Sequence, residues 1–120
     1  MYFGDSMRKI AVVCEGSGGL EDIVASKFAR APKIVFVELE DEGRILDVKA
    51  IDNPGANAES GAAVKIIQTV IDEGAEAVVA PAFGPNAQAI LDEVKVKGIT
   101  VPAGTKVREA VEIAKRELGI

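Results

Sequence analysis

The one thiol of this chain, Cys14, closes an apolar run and stands directly before Glu15-Gly16-Ser17-Gly18-Gly19. A cysteine at the carboxyl end of a buried strand lies where open α/β sheets bind their ligands. As a thiolate it ligates metal or attacks an electrophile; as a thiol it is a small buried hydrophobe. Further along, Ala82-Phe83-Gly84-Pro85-Asn86 joins a short apolar run to a helical pattern. Proline suits the first helical position, so Gly84, Pro85 and Asn86 mark a helix N-terminus. Its unpaired N–H groups and partial positive charge attract anions or electron-rich ligands, although the same turn serves equally as a plain strand-to-helix connection. Arg30, just before Ala31-Pro32, reads either as an anion clamp or as an exposed arginine.

Other chemistries are excluded by what is missing. The glycine run from Gly16 departs from the dinucleotide pattern, because Glu21 fills the last glycine position. No Gly-Lys-Ser/Thr triplet completes a Walker loop, and Gly104-Thr105-Lys106 has the order reversed. With no histidine there is no Ser–His or Cys–His pair. One cysteine permits neither an internal disulfide nor a closed zinc site. Asp41, Glu42, Asp72, Glu73, Asp92 and Glu93 fall on turns or outward helix positions and read as solvated surface. The net charge of −5, with scattered Lys and Arg, argues against a nucleic-acid partner. No segment has the length and apolarity of a membrane span or a secretory leader, so a soluble, cytoplasmic protein is expected.

The elements that must position these residues follow from periodicity. At 120 residues, 48% of them apolar, the chain has the size and composition of one globular domain. Residues 1–7 read as a short preamble and 8–120 as the domain. Lys9 to Cys14 is a continuous apolar run, the signature of a strand buried on both faces, and Ile34 to Glu40 is a second strand. Asp41-Glu42-Gly43 signals a hairpin into Arg44 to Ile51. There Leu46, Val48 and Ala50 share one face and Asp47 and Lys49 the other, as expected of an edge strand. Ile23 to Ala31 is expected to form a helical turn or two before Pro32 stops it. Ser60 to Glu73 carries a helical stripe with Gly74 as its terminator, and Glu76 to Ala80 is a short strand. A helix from Pro85 to about Val96, ended by Gly98, leads to a strand at Ile99 to Val101. Thr105 is the expected N-cap of a last helix with Val107, Ala110, Val111, Ala114 and Leu118 inward. The fold class is α/β: a mixed five-stranded sheet with helices on both faces, its late βαβ units parallel and right-handed.

Phe28-Ala29-Arg30-Ala31-Pro32 resembles the HFGRAP segment of the dinitrogenase iron–molybdenum cofactor biosynthesis family. Asn53-Pro54 after the third strand, Gly84-Pro85-Asn86-Ala87, Gly98-Ile99, Gly104-Thr105 and Val107-Arg108-Glu109-Ala110 are similar to further motifs of that family, in the same order. The resemblance covers about Arg8 to Leu118. It implies a ribonuclease-H-like three-layer α/β/α fold and the binding or carrying of an iron–sulfur or molybdenum-containing cluster during cofactor assembly. Nuclease activity is not implied, since the first strand has Ala11, Val12 and Val13 where those enzymes place a metal-binding carboxylate. Two departures stand out. Lys27 occupies the place of the family's histidine, and Gly55-Ala56-Asn57-Ala58 offers no His or Cys.

The resulting expectation is a non-catalytic binding domain for a metal–sulfur cofactor, its precursor or a small anion, working with cofactor-assembly proteins. Cys14 would be the metal ligand, Arg30 a counter-charge, and Gly84-Pro85-Asn86 a backbone cradle, with Asn53, Gly104 and Thr105 beside them. One thiolate does not complete an iron–sulfur site, which normally takes four. Either a homodimer pools two Cys14 thiolates or the cluster keeps its own sulfides. The alternative is a regulatory or interaction domain of the same fold that has lost cluster binding. An enzyme acting on a small anion is the third reading, opposed by the lack of a positioned base.

Overall fold

The computed structural model describes residues 8–120; the preamble assigned to 1–7 lies outside the described residues. Five strands form one sheet. They are β1 (Arg8–Cys14), β2 (Lys33–Leu39), β3 (Ile45–Asp52), β4 (Ala77–Ala80) and β5 (Lys97–Thr100), and the order is β3-β2-β1-β4-β5. The first three pair antiparallel, while β1, β4 and β5 run parallel. β1 is central, which accounts for its continuous apolar run: both faces and both edges are covered. Helices α1 (Ala62–Asp72) and α2 (Pro85–Val94) pack on one face, and α3 (Val107–Leu118) packs on the other. This is the ribonuclease-H-like three-layer arrangement.

Alternation along the strands divides the core into two. Ala11, Val13, Ile34, Phe36, Val78 and Ala80 meet Ile66, Ile67, Val70, Ala87 and Leu91 on the α1/α2 side. Ile10, Val12, Cys14, Val35, Val37 and Val79 meet Val107, Ala110, Val111 and Ala114 on the α3 side. Each of the fully buried Ile, Leu and Val side chains contributes about 1.5–3 kcal/mol relative to exposure. The hairpin forms as expected, with Gly43 at φ 97° and its N–H donating to the Glu40 carbonyl. β3 is an edge strand, bulged where Leu39 pairs with Ile45 and Glu38 with Asp47. No helix of the described residues is long and apolar enough to cross a membrane.

Three local expectations are corrected. Residues 23–31 form no helix. Val24 and Ala25 point to opposite cores, a period of two, and Ile23-Val24 is a β-branched pair that favours extended backbone. The segment is stitched between neighbours: Ala25 N–H donates to the Val13 carbonyl and Val24 N–H to the Thr105 carbonyl. Second, α2 ends at Lys95, which takes the left-handed conformation at φ 65°, and Gly98 lies inside β5. A Cβ at Gly98 would meet the Phe83 ring at 3.0 Å and Leu91 at 3.2 Å, so glycine there serves packing. Third, Lys106 caps α3 in place of Thr105, whose hydroxyl donates instead to the Pro102 carbonyl at 2.7 Å. The first N–H groups of α3, on Val107 and Arg108, are already satisfied by the carbonyls of Asp22 and Leu20.

Candidate ligand-binding site

The topology carries every candidate residue to one end of the sheet. Parallel strands β1, β4 and β5 finish there, β2 starts there, and β3 ends there. The sheet then separates them by face. On the α1/α2 side a cavity of about 650 Å³ opens between residues 26–30 and the turn into α2. Arg30, Gly84, Pro85 and Asn86 all line it. Lys27, Ser26, Phe28 and Ala63 join them.

The cavity's chemistry is cationic and apolar. Its charged lining residues, Lys27 and Arg30, are both positive, and no carboxylate lines it. Phe28 and Phe83 stack edge to face with centroids 4.9 Å apart, fixing the wall. Ala63 and Pro85-Asn86 belong to the first turns of α1 and α2. Neither helix has a side-chain cap or an acidic residue in its first turn. Two helix N-termini therefore present partial positive charge toward the same space. By contrast, α3 carries Glu109 in its first turn.

Asn53 does not line the cavity; it braces it. Buried at 5% exposure, its Nδ2 donates to the carbonyls of Ala29 (2.9 Å) and Ala31 (2.8 Å), on either side of Arg30. Its Oδ1 accepts the Gly55 N–H at 2.8 Å. Gly55 is wedged so tightly that a Cβ would lie 2.7 Å from the Ala62 carbonyl oxygen and 2.9 Å from that of Ala29. The Arg30 guanidinium in turn donates to the Ala58 carbonyl. The Asn53–Pro54–Gly55 turn thus ties the Arg30 segment to the start of α1.

Cys14, Gly104 and Thr105 fall on the α3 side and do not line the cavity. Cys14 is fully buried, so its thiol reaches neither the cavity nor a second copy of the chain. Burial pushes its pKa up to about 12, and the hydrogen-bonded, negatively charged Asp22 adds to the rise. It is the thiol, not the thiolate, that the fold stabilises. Among the described residues no cluster of three His, Cys, Asp or Glu side chains is placed to hold a metal ion.

Sequence reasoning passed over Asp22. Its Oδ2 accepts the N–H groups of Gly16 (3.0 Å) and Gly18 (2.7 Å), and its Oδ1 that of Ile23 (2.8 Å). Burial works against the carboxylate, but these donors and the Cys14 thiol outweigh it and hold the pKa below the usual range. The glycine loop that resembles a phosphate cradle is therefore filled by the chain's own carboxylate. Lys27 and Ser26 were also missed as lining residues. The signal for them was adjacency to the Phe28–Pro32 segment.

No curated protein matches the chain. The crystal structure of PH0822 superposes with a TM-score of 0.74 at 19% identity, covering 91% of each chain, and shows the fold alone. The apo form of the orange protein from Desulfovibrio gigas gives a TM-score of 0.75 at 27% identity, over 94% of this chain and 89% of that one. The NMR structure of TM1290 from Thermotoga, a NifB-like protein of the DUF35 family, gives 0.67 at 28% identity, over 91% and 88%. The family model described as dinitrogenase iron–molybdenum cofactor matches residues 8–117. With nearly its whole length matched and its fold shared, this chain belongs to the dinitrogenase iron–molybdenum cofactor family.

Proposed function

We propose that the chain is a non-catalytic binding domain that carries an anionic metal–sulfur cofactor, or its precursor, in the cavity beside Lys27 and Arg30. The observation that carries this reading is the lining itself: two cations, two uncapped helix N-termini, an apolar wall and no carboxylate. A cluster rich in sulfide is anionic and soft at its surface, and those features suit it. Family membership supports the ligand class. The orange protein was solved in an apo form, which means that this relative takes a ligand.

The donor set limits how the cargo is held. Ser26, Lys27, Arg30, Asn86 and backbone N–H groups reach the cavity, but no thiolate or imidazole does. These residues do not fit direct ligation of iron. The cargo must arrive with its metal sites already filled by sulfide, to be held by charge, hydrogen bonds and contact. Lys27, in the position that the resemblance gives to histidine, then supplies a charge and no metal bond.

Tetrathiomolybdate, a small anion of this chemistry, provides the test. Spectroscopic titration of the purified chain should show saturable binding that Lys27→Glu and Arg30→Glu each weaken about tenfold or more, as expected for reversing a charge in a partly enclosed site. Cys14→Ala should leave it unchanged. Binding unaffected by either charge reversal, or lost with Cys14→Ala, would overturn the assignment. No binding at all would favour the interaction-domain alternative.

A further inference from the structure

The sheet has one long open edge. β3 pairs with β2 on one side, and among the described residues no strand pairs with its other side. Helix α3 packs over β1 and β4; on the same side of the sheet Ile45 and Val48 of β3 pack only partly against the core and Gly18 approaches Ala50, so β3 is covered less than the inner strands. Leu46 is 41% exposed, Ala50 is exposed and Val48 is half-buried. A long edge strand with exposed apolar side chains is a template for pairing with another chain.

The sequence of this edge is complementary to itself. When two copies of Leu46-Asp47-Val48-Lys49-Ala50 are laid antiparallel about a two-fold axis at Val48, each Asp47 faces the partner's Lys49. The two valines meet between these pairs, and Leu46, at the bulge, and Ala50 flank them. Opposed residues in an antiparallel ladder are either both hydrogen-bonded or both not. Two copies of one edge can therefore pair only in registers that preserve the pleat. The neighbouring registers of that kind set Asp47 against Asp47 or Lys49 against Lys49, and like charges directly opposed are destabilising. Within one protomer Asp47 already stands opposite Glu38, a like-charged pair that an incoming cation would relieve. The bulge at Leu46 ends the regular ladder and confines regular pairing to the residues that follow it.

We propose that β3 is a homodimerisation edge, its partner a second copy of this chain joined through Asp47–Lys49 so that the two sheets become one. The contact lies on the outer edge of the sheet and is independent of the cavity.

Sedimentation equilibrium over a concentration series tests it. The wild-type chain should dimerise reversibly. Asp47→Lys and Lys49→Glu each oppose like charges at both symmetric pairs and should raise the dissociation constant about tenfold or more. An equimolar mixture of the two variants restores opposite charges and should regain a dimer containing one of each. Far-UV circular dichroism verifies that each variant is folded, and Asp47→Lys avoids the contact that Lys49 makes with Glu73. A wild-type chain that stays monomeric overturns the proposal, as do variants that dimerise like wild type or a mixture that gains nothing.

Discussion

Replacing Asn53 by alanine removes the brace behind the cavity, and its cost can be worked from the geometry. Two carbonyls, those of Ala29 and Ala31, lose their donor, and the Gly55 N–H loses its acceptor. Each hydrogen bond contributes about 1 kcal/mol net, and more where the abandoned group stays buried. The sum is about 3 kcal/mol, with little relief from solvent at 5% exposure. An unfolding entropy of about 2.1 cal/mol/K per residue converts this to a fall in Tm of about 12 °C for a chain of this size. Urea unfolding gives the free energy and calorimetry gives Tm. Asn53→Asp adds a test of sign. The new carboxylate still accepts from Gly55 but faces two carbonyl oxygens, and burial disfavours its charge, so its folded pKa is raised above the unfolded value. The penalty is then full at neutral pH and shrinks as pH falls through the folded pKa toward the unfolded one. A loss below about 1 kcal/mol in Asn53→Ala, or an Asn53→Asp variant that weakens further on acidification, would refute the bracing role.

Three further predictions concern Cys14 and Gly55. Cys14 should resist alkylation in the native protein at pH 8 and react at once in urea, because it is fully buried and its pKa is raised to about 12; rapid native labelling would contradict this. Since the unfolded thiol ionises near pH 9 and the folded one does not, Cys14 should make stability fall between pH 9 and 12 by the slope of one proton, and Cys14→Ala should reduce the slope in urea titrations by that one proton. Gly55→Ala should cost about 2 kcal/mol or more by urea unfolding, because the added methyl meets backbone carbonyls that cannot rotate away; an unchanged midpoint would show that the turn has slack.

How far the fold was legible depended on how local its causes were. A continuous apolar run revealed β1 because both faces of a central strand are buried. The Pro85 turn gave the start of α2 because proline's constraint is intrinsic. The errors came where tertiary contacts replaced local rules. Residues 23–25 became extended because the ends of β1 and the loop before α3 offered hydrogen bonds on either side. Gly98 looked like a helix terminator, yet the Phe83 ring required its missing side chain. At the site, the shared motifs picked out loops that the topology brings to one end of the sheet. Motif order says nothing about which face a residue takes, and a parity difference along one strand sends Cys14 to the α3 side, away from the cavity. Asn53 looked like a ligand contact because no local feature tells a buried brace from an exposed donor.

The same Asn53 bears on how the protein ages. Asparagine deamidates when the nitrogen of the following residue attacks the side-chain amide and closes a succinimide. The residue that follows here is Pro54, whose nitrogen carries no hydrogen and is closed to that route. Asn57 and Asn86 are both exposed and both followed by alanine, and they remain open to it. The asparagine whose conversion to aspartate would loosen the cavity is thus chemically shielded by its neighbour, so slow damage should accumulate first at the surface and spare the brace.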